Sequence, residues 1–283
     1  MADWSGVESL TAPDGARLAL RRQSPRGAAR GTVIFVHGWG DYTGRWAWQV
    51  SWLADRGLAV YGCDQRGHGD TSGSRGHVDR FTQFLSDLGA LRKLASAESP
   101  GPQLLLGHSF GGFIVLRYLE TSPAGVAGAA LLTPFLDLYV PPPQWKIKMA
   151  KLIVDLLPRL PIPTGLEYEA ISRDPLVVNE FRDDPRCHEV MTPRAYTEAM
   201  ATQALLREEA AKIHTPLFVA LAGADRIVST PAAERFTHLL AGDVSVRSYE
   251  GMYHNILHEP DRDRVLDDLG PWLDKTLAGR AAA

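Results

Sequence analysis

The sequence predicts an α/β fold: a mostly parallel, doubly wound sheet flanked by helices, with a helical cap inserted between two of its strands. Two observations lead to this prediction. Short runs that are apolar almost throughout alternate with segments of helical periodicity, which is typical of strands buried on both faces of a parallel sheet. The alternation is interrupted once, over residues 135–212, by a proline-rich stretch that lacks a comparable apolar run.

Six segments are predicted as strands of the sheet, and two partly alternating runs around Asp14-Gly15 predict a β-hairpin ahead of them. The six strand segments are 32–38, 58–64, 103–109, 128–134, 216–223 and 243–251. The segments between them carry apolar residues at helical spacing, so βαβ units with right-handed crossovers are expected. The predicted helices are 45–57, which ends at Gly57, 80–97 and 110–120.

Residues 135–212 are predicted to form a helical cap, and residues 1–134 and 213–283 the core domain. An insertion after the carboxyl end of a strand lies over the ligand crevice of an α/β sheet. Within it, "WKIKMAKLIVDLL" (145–157) has apolar and charged sides at helical spacing. We expect one helix there that packs its apolar face over the crevice.

The composition of the chain limits which binding partners and which cellular compartment are expected. Of 283 residues, 45% are hydrophobic and 22% charged, and a net charge of −3 gives no reason to expect nucleic acid as a partner. No secretory signal is visible at the start, and no apolar run approaches the length of about 18 residues that spans a bilayer. Cys63 and Cys187 are too few for a disulfide framework or a metal site, so a cytoplasmic location is the default expectation.

Ser109 is the candidate nucleophile. Gly107-His108-Ser109-Phe110-Gly111 fits G-x-S-x-G, between an apolar strand pattern and an apolar helix pattern. That context predicts a sharp turn that exposes the hydroxyl above the sheet. A chance match to the pentapeptide is the alternative interpretation.

A serine hydroxyl needs a base to take its proton, and the chain has nine histidines. His254 lies in "EGMYHNILHEP", just beyond the last predicted strand, and is favoured as the base. His258 is the rival, although it stands where the sequence approaches a helix.

An acid is needed to orient the base, and Asp225 stands immediately beyond the strand in "FVALAGADRIV". Asp137, after the preceding strand, is the alternative position. Choosing Asp225 gives the chain order Ser, Asp, His that this fold shows. Two backbone N–H groups are the expected oxyanion donors. One belongs to Phe110, which follows the nucleophile, and the other to Trp39, in "HGWG" after an earlier strand.

The chain resembles the monoacylglycerol lipase and lysophospholipase-like branch of the α/β-hydrolase superfamily, over roughly residues 31–273. The resemblance is carried by five motifs in the family's order: "HGWGDYTGRW", "CDQRGHGDTSG", "GHSFGG", "GADRIV" and "EGMYHNILHE". It implies nucleophile Ser109, acid Asp225, base His254 and the oxyanion N–H groups of Trp39 and Phe110. It also implies cleavage of monoacylglycerols, lysophospholipids or other single-chain esters through an acyl-enzyme, with no metal or organic cofactor.

The chain departs from the family pattern just after Gly40 of "HGWG" and after the base. Asp41 and Arg45 are candidates for contacts to the substrate head group, and an ion pair that holds the loop is the alternative. In one lipase of this family a second histidine follows the base by three positions, whereas His258 follows by four; His258 is the third candidate for substrate contact.

The resemblance also suggests a transient contact between the cap and a membrane surface. Lys146, Lys148 and Lys151 would be available to anionic head groups, although packing of the cap helix against the core is the default expectation.

Three other functions remain open from the sequence. An aminopeptidase or an acyltransferase would use the same triad. An aminopeptidase would also need acidic groups that bind the substrate amine, and the candidates in the cap are Glu167, Glu169 and Glu189. A ligand-binding protein without catalytic activity is the third, because the same fold serves both kinds of protein.

Overall fold

The computed structural model describes residues 4 and 6–281, and an eight-stranded sheet lies at its centre. In chain order the strands are β1 Glu8–Thr11, β2 Arg17–Gln23, β3 Gly31–Val36, β4 Leu58–Cys63, β5 Gln103–His108, β6 Val126–Leu132, β7 Ile162–Pro163, β8 Val190–Met191, β9 Leu217–Ala222 and β10 Val244–Tyr249. The two-residue strands β7 and β8 form a small antiparallel sheet of their own.

The strand order in the large sheet is β1-β2-β4-β3-β5-β6-β9-β10. The six strands from β4 to β10 are parallel to their neighbours, and the hairpin β1–β2 adds two antiparallel strands at one edge. The predicted mostly parallel sheet and its preceding hairpin are therefore confirmed. Strands β3 to β6 and β9 are buried along their whole length, which explains their unbroken apolar sequences.

Eight α-helices lie in the described part of the chain: α1 Ala47–Asp55, α2 Thr82–Glu98, α3 Phe110–Thr121, α4 Gln144–Ile153, α5 Pro175–Asp183, α6 Pro193–Glu209, α7 Thr230–Thr237 and α8 Asp263–Ala281. Helices α2 and α3 pack on one face of the sheet through residues such as Leu88 and Phe113. Helices α1 and α8 pack on the other through residues such as Val50 and Leu269. The sheet is thus covered on both faces, as a doubly wound fold requires.

The segment between β6 and β9 contains α4, α5, α6 and the small sheet. Helices α5 and α6 begin where the sequence supplies a cap: the side chains of Asp174 and Thr192 accept from the first turn, and a proline follows each. Because parallel strands end at the same sheet edge, this segment lies over the carboxyl ends of β5, β6 and β9.

The expectation for residues 145–157 was partly wrong. Helix α4 ends at Ile153, and a turn in which Leu157 N donates to Ile153 O precedes Pro158, which disfavours helical backbone in the residue before it. The apolar side is also only partly packed, because Ile153 lines a cavity between this segment and the sheet, whereas Leu152 is 70% and Leu156 79% exposed. The side chain of Lys146 lies outside the described residues.

No helix among the residues that the structure describes has both the length and the apolar character needed to cross a membrane.

Candidate active site

Ser109 lies at a sharp turn between β5 and α3. Its φ of 52° and ψ of −118° place a non-glycine residue in a conformation that costs on the order of 1–3 kcal/mol. Its N–H donates to Leu132 O at 2.9 Å, which fixes the turn to the neighbouring strand β6. The hydroxyl is therefore held beyond the sheet edge, as the G-x-S-x-G pattern predicts.

The two glycines of the pattern permit this turn because neighbouring backbone lies where a side chain would be. A Cβ on Gly107 would stand 2.7 Å from Gly111 O, and a Cβ on Gly111 would stand 2.1 Å from Val36 O. Any larger residue would push helix α3 away from strands β3 and β5.

His254 lies between Ser109 and Asp225. Its Nε2 is 2.8 Å from Ser109 Oγ, and its Nδ1 is 2.8 Å from Asp225 Oδ2. All three side chains are buried, so these hydrogen bonds form in a site with little competing water. The distances fit a hydroxyl that donates to Nε2 and an Nδ1–H that donates to the carboxylate.

Asp225 is held by the backbone that follows it. Its Oδ1 accepts from Ile227 N at 2.8 Å and from Val228 N at 2.9 Å, which leaves Oδ2 for His254. The alternative acid, Asp137, has a side chain that is 48% exposed and lies 3.5 Å from Arg207. The structure therefore brings Asp225, and not Asp137, to the candidate base.

Asp41 and Arg45 form a buried ion pair of 3.0 Å. Asp41 also accepts from Tyr42 N and from the Trp46 indole, both at 2.9 Å. Burial disfavours its ionised form, but the positive charge of Arg45, together with His37 and the hydrogen bond from the Trp46 indole, outweighs this and holds the pKa of Asp41 at about 2. Asp41 lines the cavity beside Ser109, so the ion pair fixes one wall of the site.

His258 is buried behind that wall. Its Nε2 lies 3.2 Å from Arg45 O, and its ring packs edge-on against Trp46 at 4.6 Å. In the described structure neither His258 nor Arg45 lines the cavity, whose wall at this point is formed by Asp41, His108 and Asn255. The expectation that Arg45 and His258 contact substrate directly is therefore not supported by their positions.

Trp39 and Phe110 are neighbours at the nucleophile. Their rings meet edge to face at 4.9 Å, and both residues line the cavity. Within the described residues neither backbone N–H donates to a backbone carbonyl. Phe110 is the first residue of α3, where N–H groups have no partner inside the helix.

The chain entering and forming β8 docks on the loop that carries Trp39. His188 N donates to Gly40 O at 3.0 Å, and the Trp39 indole donates to Val190 O at 2.9 Å. Thr192 N donates to Gly76 O at 3.0 Å, which fixes the end of the same segment. We refer to residues 188–192 as the strap.

A cavity of about 780 Å³ lies between the sheet edge and the segment above it. Ser109 and His254 line it together with apolar residues from both sides. Among these apolar residues are Phe135, Leu138, Ile147, Ile153, Met191 and Met200. Its volume falls in the range of about 300–1,000 Å³ that is typical of small-molecule sites.

Sequence reasoning missed Thr133 and the strap. Thr133 donates its hydroxyl to His254 O at 2.9 Å, and the only signal for it was a threonine before Pro134 at the end of a buried strand. The strap contacts Gly40, the Trp39 indole and Gly76 through its own backbone atoms, which leave little trace in residue types. The signal available in the sequence was the pair of glycines at 40 and 76, because both adopt a positive φ that favours glycine.

Comparison with known proteins identifies the family. Residues 27–261 match the Hydrolase_4 family, described as serine aminopeptidase, S33. The chain belongs to this family. The hydrolase is also 30% identical over 268 residues to the monoacylglycerol lipase of Mycolicibacterium smegmatis, covering 94% of this chain and 95% of the relative.

Solved structures show the same likeness. The monoacylglycerol lipase of Paleococcus ferrophilus superposes with a TM-score of 0.82 at 27% identity, covering 91% of the hydrolase and 99% of that chain. A soluble variant of the Saccharomyces cerevisiae monoglyceride lipase, in complex with a substrate analog, superposes with a TM-score of 0.83 at 25% identity. The match covers 96% of the hydrolase and 94% of that chain. These similarities confirm the predicted α/β-hydrolase fold and the class of carboxylic ester hydrolase.

Proposed function

We propose that the hydrolase cleaves single-acyl-chain esters, monoacylglycerols foremost, through an acyl-enzyme formed on Ser109. The observation that carries this proposal is the pair of 2.8 Å hydrogen bonds that link Ser109 Oγ, His254 and Asp225 at the wall of an apolar cavity. The names of the relatives support the substrate class.

In this mechanism Ser109 Oγ attacks the ester carbonyl while His254 Nε2 takes its proton. His254 then protonates the leaving alcohol, and afterwards it takes a proton from the water that hydrolyses the acyl-enzyme. Asp225 keeps Nδ1 protonated and stabilises the imidazolium in both half-reactions.

Backbone N–H groups of Trp39 and Phe110 are proposed to stabilise the oxyanion of each tetrahedral intermediate. The support is that neither group donates to a backbone carbonyl within the described chain, and that their residues adjoin Ser109. Because the strap holds the Trp39 indole, the donor on that side is held in place before substrate arrives.

Residues 135–212 are proposed as the cap, with residues 1–134 and 213–283 as the core. The acyl chain would lie among the apolar residues that this segment contributes to the cavity, such as Ile147 and Met200. The polar end of the substrate would lie toward Asp41 and His108. Burial and nearby His254 lower the pKa of His108 well below its ordinary value, so it would meet the head group as a neutral ring.

The cap is also proposed to contact lipid surfaces. Large apolar side chains are exposed on it, and Leu152, Leu156 and Val140 are each at least 70% exposed. Most of the large exposed apolar side chains of the described residues fall within 139–162, and such a concentration is a feature of interaction surfaces. A lipid surface fits because the proposed substrates reside there and the cavity opens beneath the same segment.

An aminopeptidase is the second candidate, because Glu167 and Glu189 both line the cavity and could bind a substrate amine. Glu169 pairs instead with Arg182 at 2.8 Å. Amino-acyl naphthylamides compared with acyl esters of matched size distinguish the two candidates, and we expect turnover of the esters.

The proposed function is tested with a panel of esters. Monoacylglycerols, lysophospholipids and p-nitrophenyl esters should vary in chain length at fixed head group and then in head group at fixed chain. We expect fatty acid release that is fastest with monoacylglycerols and that falls by about 10⁴-fold or more in Ser109→Ala. Release at the wild-type rate by Ser109→Ala would refute the proposal.

A further inference from the structure

The backbone at the end of β6 contains an outlier. Within the described residues, Ser109 and Thr133 are the two non-glycine residues with positive φ, at 52° and 44°. Thr133 is branched at Cβ, which makes this conformation especially unfavourable. Such residues persist where surrounding contacts fix them, and they cluster at functional sites.

The contacts that fix Thr133 reach two different parts of the site. Its N–H donates to Ala220 O in β9 at 2.8 Å, and its hydroxyl donates to His254 O at 2.9 Å. The residue before it, Leu132, accepts from Ser109 N at 2.9 Å. The end of β6 is thus hydrogen-bonded to the nucleophile, to the strand that precedes the acid, and to the base.

The Thr133 hydroxyl shares the His254 carbonyl oxygen with one backbone donor of the same loop, because Ile256 N also donates to His254 O at 2.9 Å. Thr133 is 1% and His254 4% exposed, so bulk water does not replace the hydroxyl. The Nε2 atom of His108 lies 3.5 Å from the same carbonyl oxygen, a distance at which a hydrogen bond is weak. Ile256 belongs to the same loop as His254 and moves with it, so Thr133 supplies the main anchor of the His254 carbonyl from outside that loop.

We propose that Thr133 is a positioning residue for the base, and that its hydroxyl keeps the His254 backbone where Nε2 meets Ser109 Oγ. This inference rests on the proposed function. Small displacements of a catalytic group lower the rate of the chemical step strongly. Thr133 is not among the described residues that line the cavity, so the loss of its hydroxyl should leave substrate binding unchanged.

The test compares Thr133→Val, which keeps the branched shape without a hydroxyl, with Thr133→Ser, which keeps the hydroxyl. Turnover of a p-nitrophenyl ester is measured per folded molecule. We expect kcat of Thr133→Val to fall by about 10–100-fold with KM within about twofold, and Thr133→Ser to retain most of the wild-type kcat.

Thr133→Gly is the second variant without a hydroxyl, and it relieves the backbone strain, so it carries the test if Thr133→Val does not fold. We expect its kcat to fall in the same way despite the relaxed backbone. A wild-type kcat in either hydroxyl-free variant, or an equal fall in Thr133→Ser, would overturn the inference. If the wild-type protein itself neither hydrolyses the ester nor reacts with a fluorophosphonate, the proposed function fails instead.

Discussion

The backbone N–H of His188 donates to the carbonyl oxygen of Gly40 at 3.0 Å, and this bond joins the strap to the loop that carries Trp39. Gly40 has a φ of +73°, and a Cβ placed on it would stand 2.1 Å from His188 O. The close approach of the two backbones therefore depends on a glycine, and the position of Trp39 beside it depends on the same contact.

Gly40→Ala should separate the strap from the loop that carries Trp39. We expect a loss of about 3 kcal/mol in the free energy of unfolding, because the new methyl group forces backbone apart and the left-handed conformation is strained. Since Trp39 moves with the loop, kcat for an ester should fall by about 10-fold or more. Urea unfolding and ester kinetics measure the two effects.

Gly15→Ala is the matched control, since Gly15 has a φ of +88° and no atom within 4 Å of the added Cβ. It should cost about 1 kcal/mol of stability and leave kcat unchanged. Equal effects of the two substitutions on kcat would contradict the role given to the strap.

Asp225→Asn should lower kcat by about 10³–10⁴-fold, because an amide can donate to Nδ1 and favours the wrong tautomer of His254. Asp137→Asn serves as the control, since that side chain is half exposed and pairs with Arg207 rather than with His254. Steady-state ester hydrolysis should show a near-normal kcat for Asp137→Asn. A similar decrease in both variants would argue against Asp225 as the acid.

His258 should make stability sensitive to mild acid. Burial and the positive charge of Arg45 lower its pKa from 6.5 to about 4, so the folded state binds fewer protons than the unfolded chain between these values. Stability contributed by this difference is present above pH 6.5 and decreases as the pH falls toward 4. At pH 5 the cost relative to pH 7 is about 2 kcal/mol.

His258→Gln should remove this part of the pH dependence while keeping an amide that can donate to Arg45 O. Urea unfolding at pH 7 and pH 5 gives the comparison, with His238→Gln at an exposed position as the control. If His258→Gln loses as much stability as the wild-type protein between the two pH values, the buried neutral state of His258 is contradicted.

Lipid binding should depend on the exposed leucines of the cap. The double substitution Leu152→Glu and Leu156→Glu should weaken binding to vesicles of phosphatidylcholine and phosphatidylglycerol by about 10-fold or more, because it removes apolar area and adds negative charge. Hydrolysis of soluble p-nitrophenyl butyrate should remain within about twofold of wild type.

Leu239→Glu is the control for this experiment, since Leu239 is 49% exposed and lies outside the cap. It should leave vesicle binding unchanged. Undiminished vesicle binding by the double variant, measured by co-sedimentation, would contradict the proposed lipid contact.

The sheet could be predicted from the sequence because its central strands are buried on both faces and read as unbroken apolar runs. The runs 33–36 in β3, 104–106 in β5 and 217–222 in β9 show this directly. Ser109 could be predicted for a related reason: the glycines around it are required by close backbone contacts, of Gly107 with Gly111 inside the turn and of Gly111 with Val36 in β3. A tight turn of this kind leaves a short pattern in the sequence.

The features that the sequence does not reveal depend on contacts between residues far apart in the chain. Thr133 and His254 are 121 positions apart, and their bond joins a hydroxyl to a backbone oxygen, which any residue type carries. Leu152 and Leu156 are exposed although the amphipathic pattern predicted that they pack. Periodicity shows that a helix has an apolar side, but it does not show what covers that side. Placing such residues requires the fold itself.

Reaction with a fluorophosphonate tests the central claim most directly, because the probe reacts with a serine only when the oxygen is activated as a nucleophile. Intact mass and peptide mapping after incubation should show one adduct on the folded protein, located on Ser109, and none on Ser109→Ala. An adduct on another residue, or an unmodified folded protein, would contradict the assignment of Ser109 as the nucleophile.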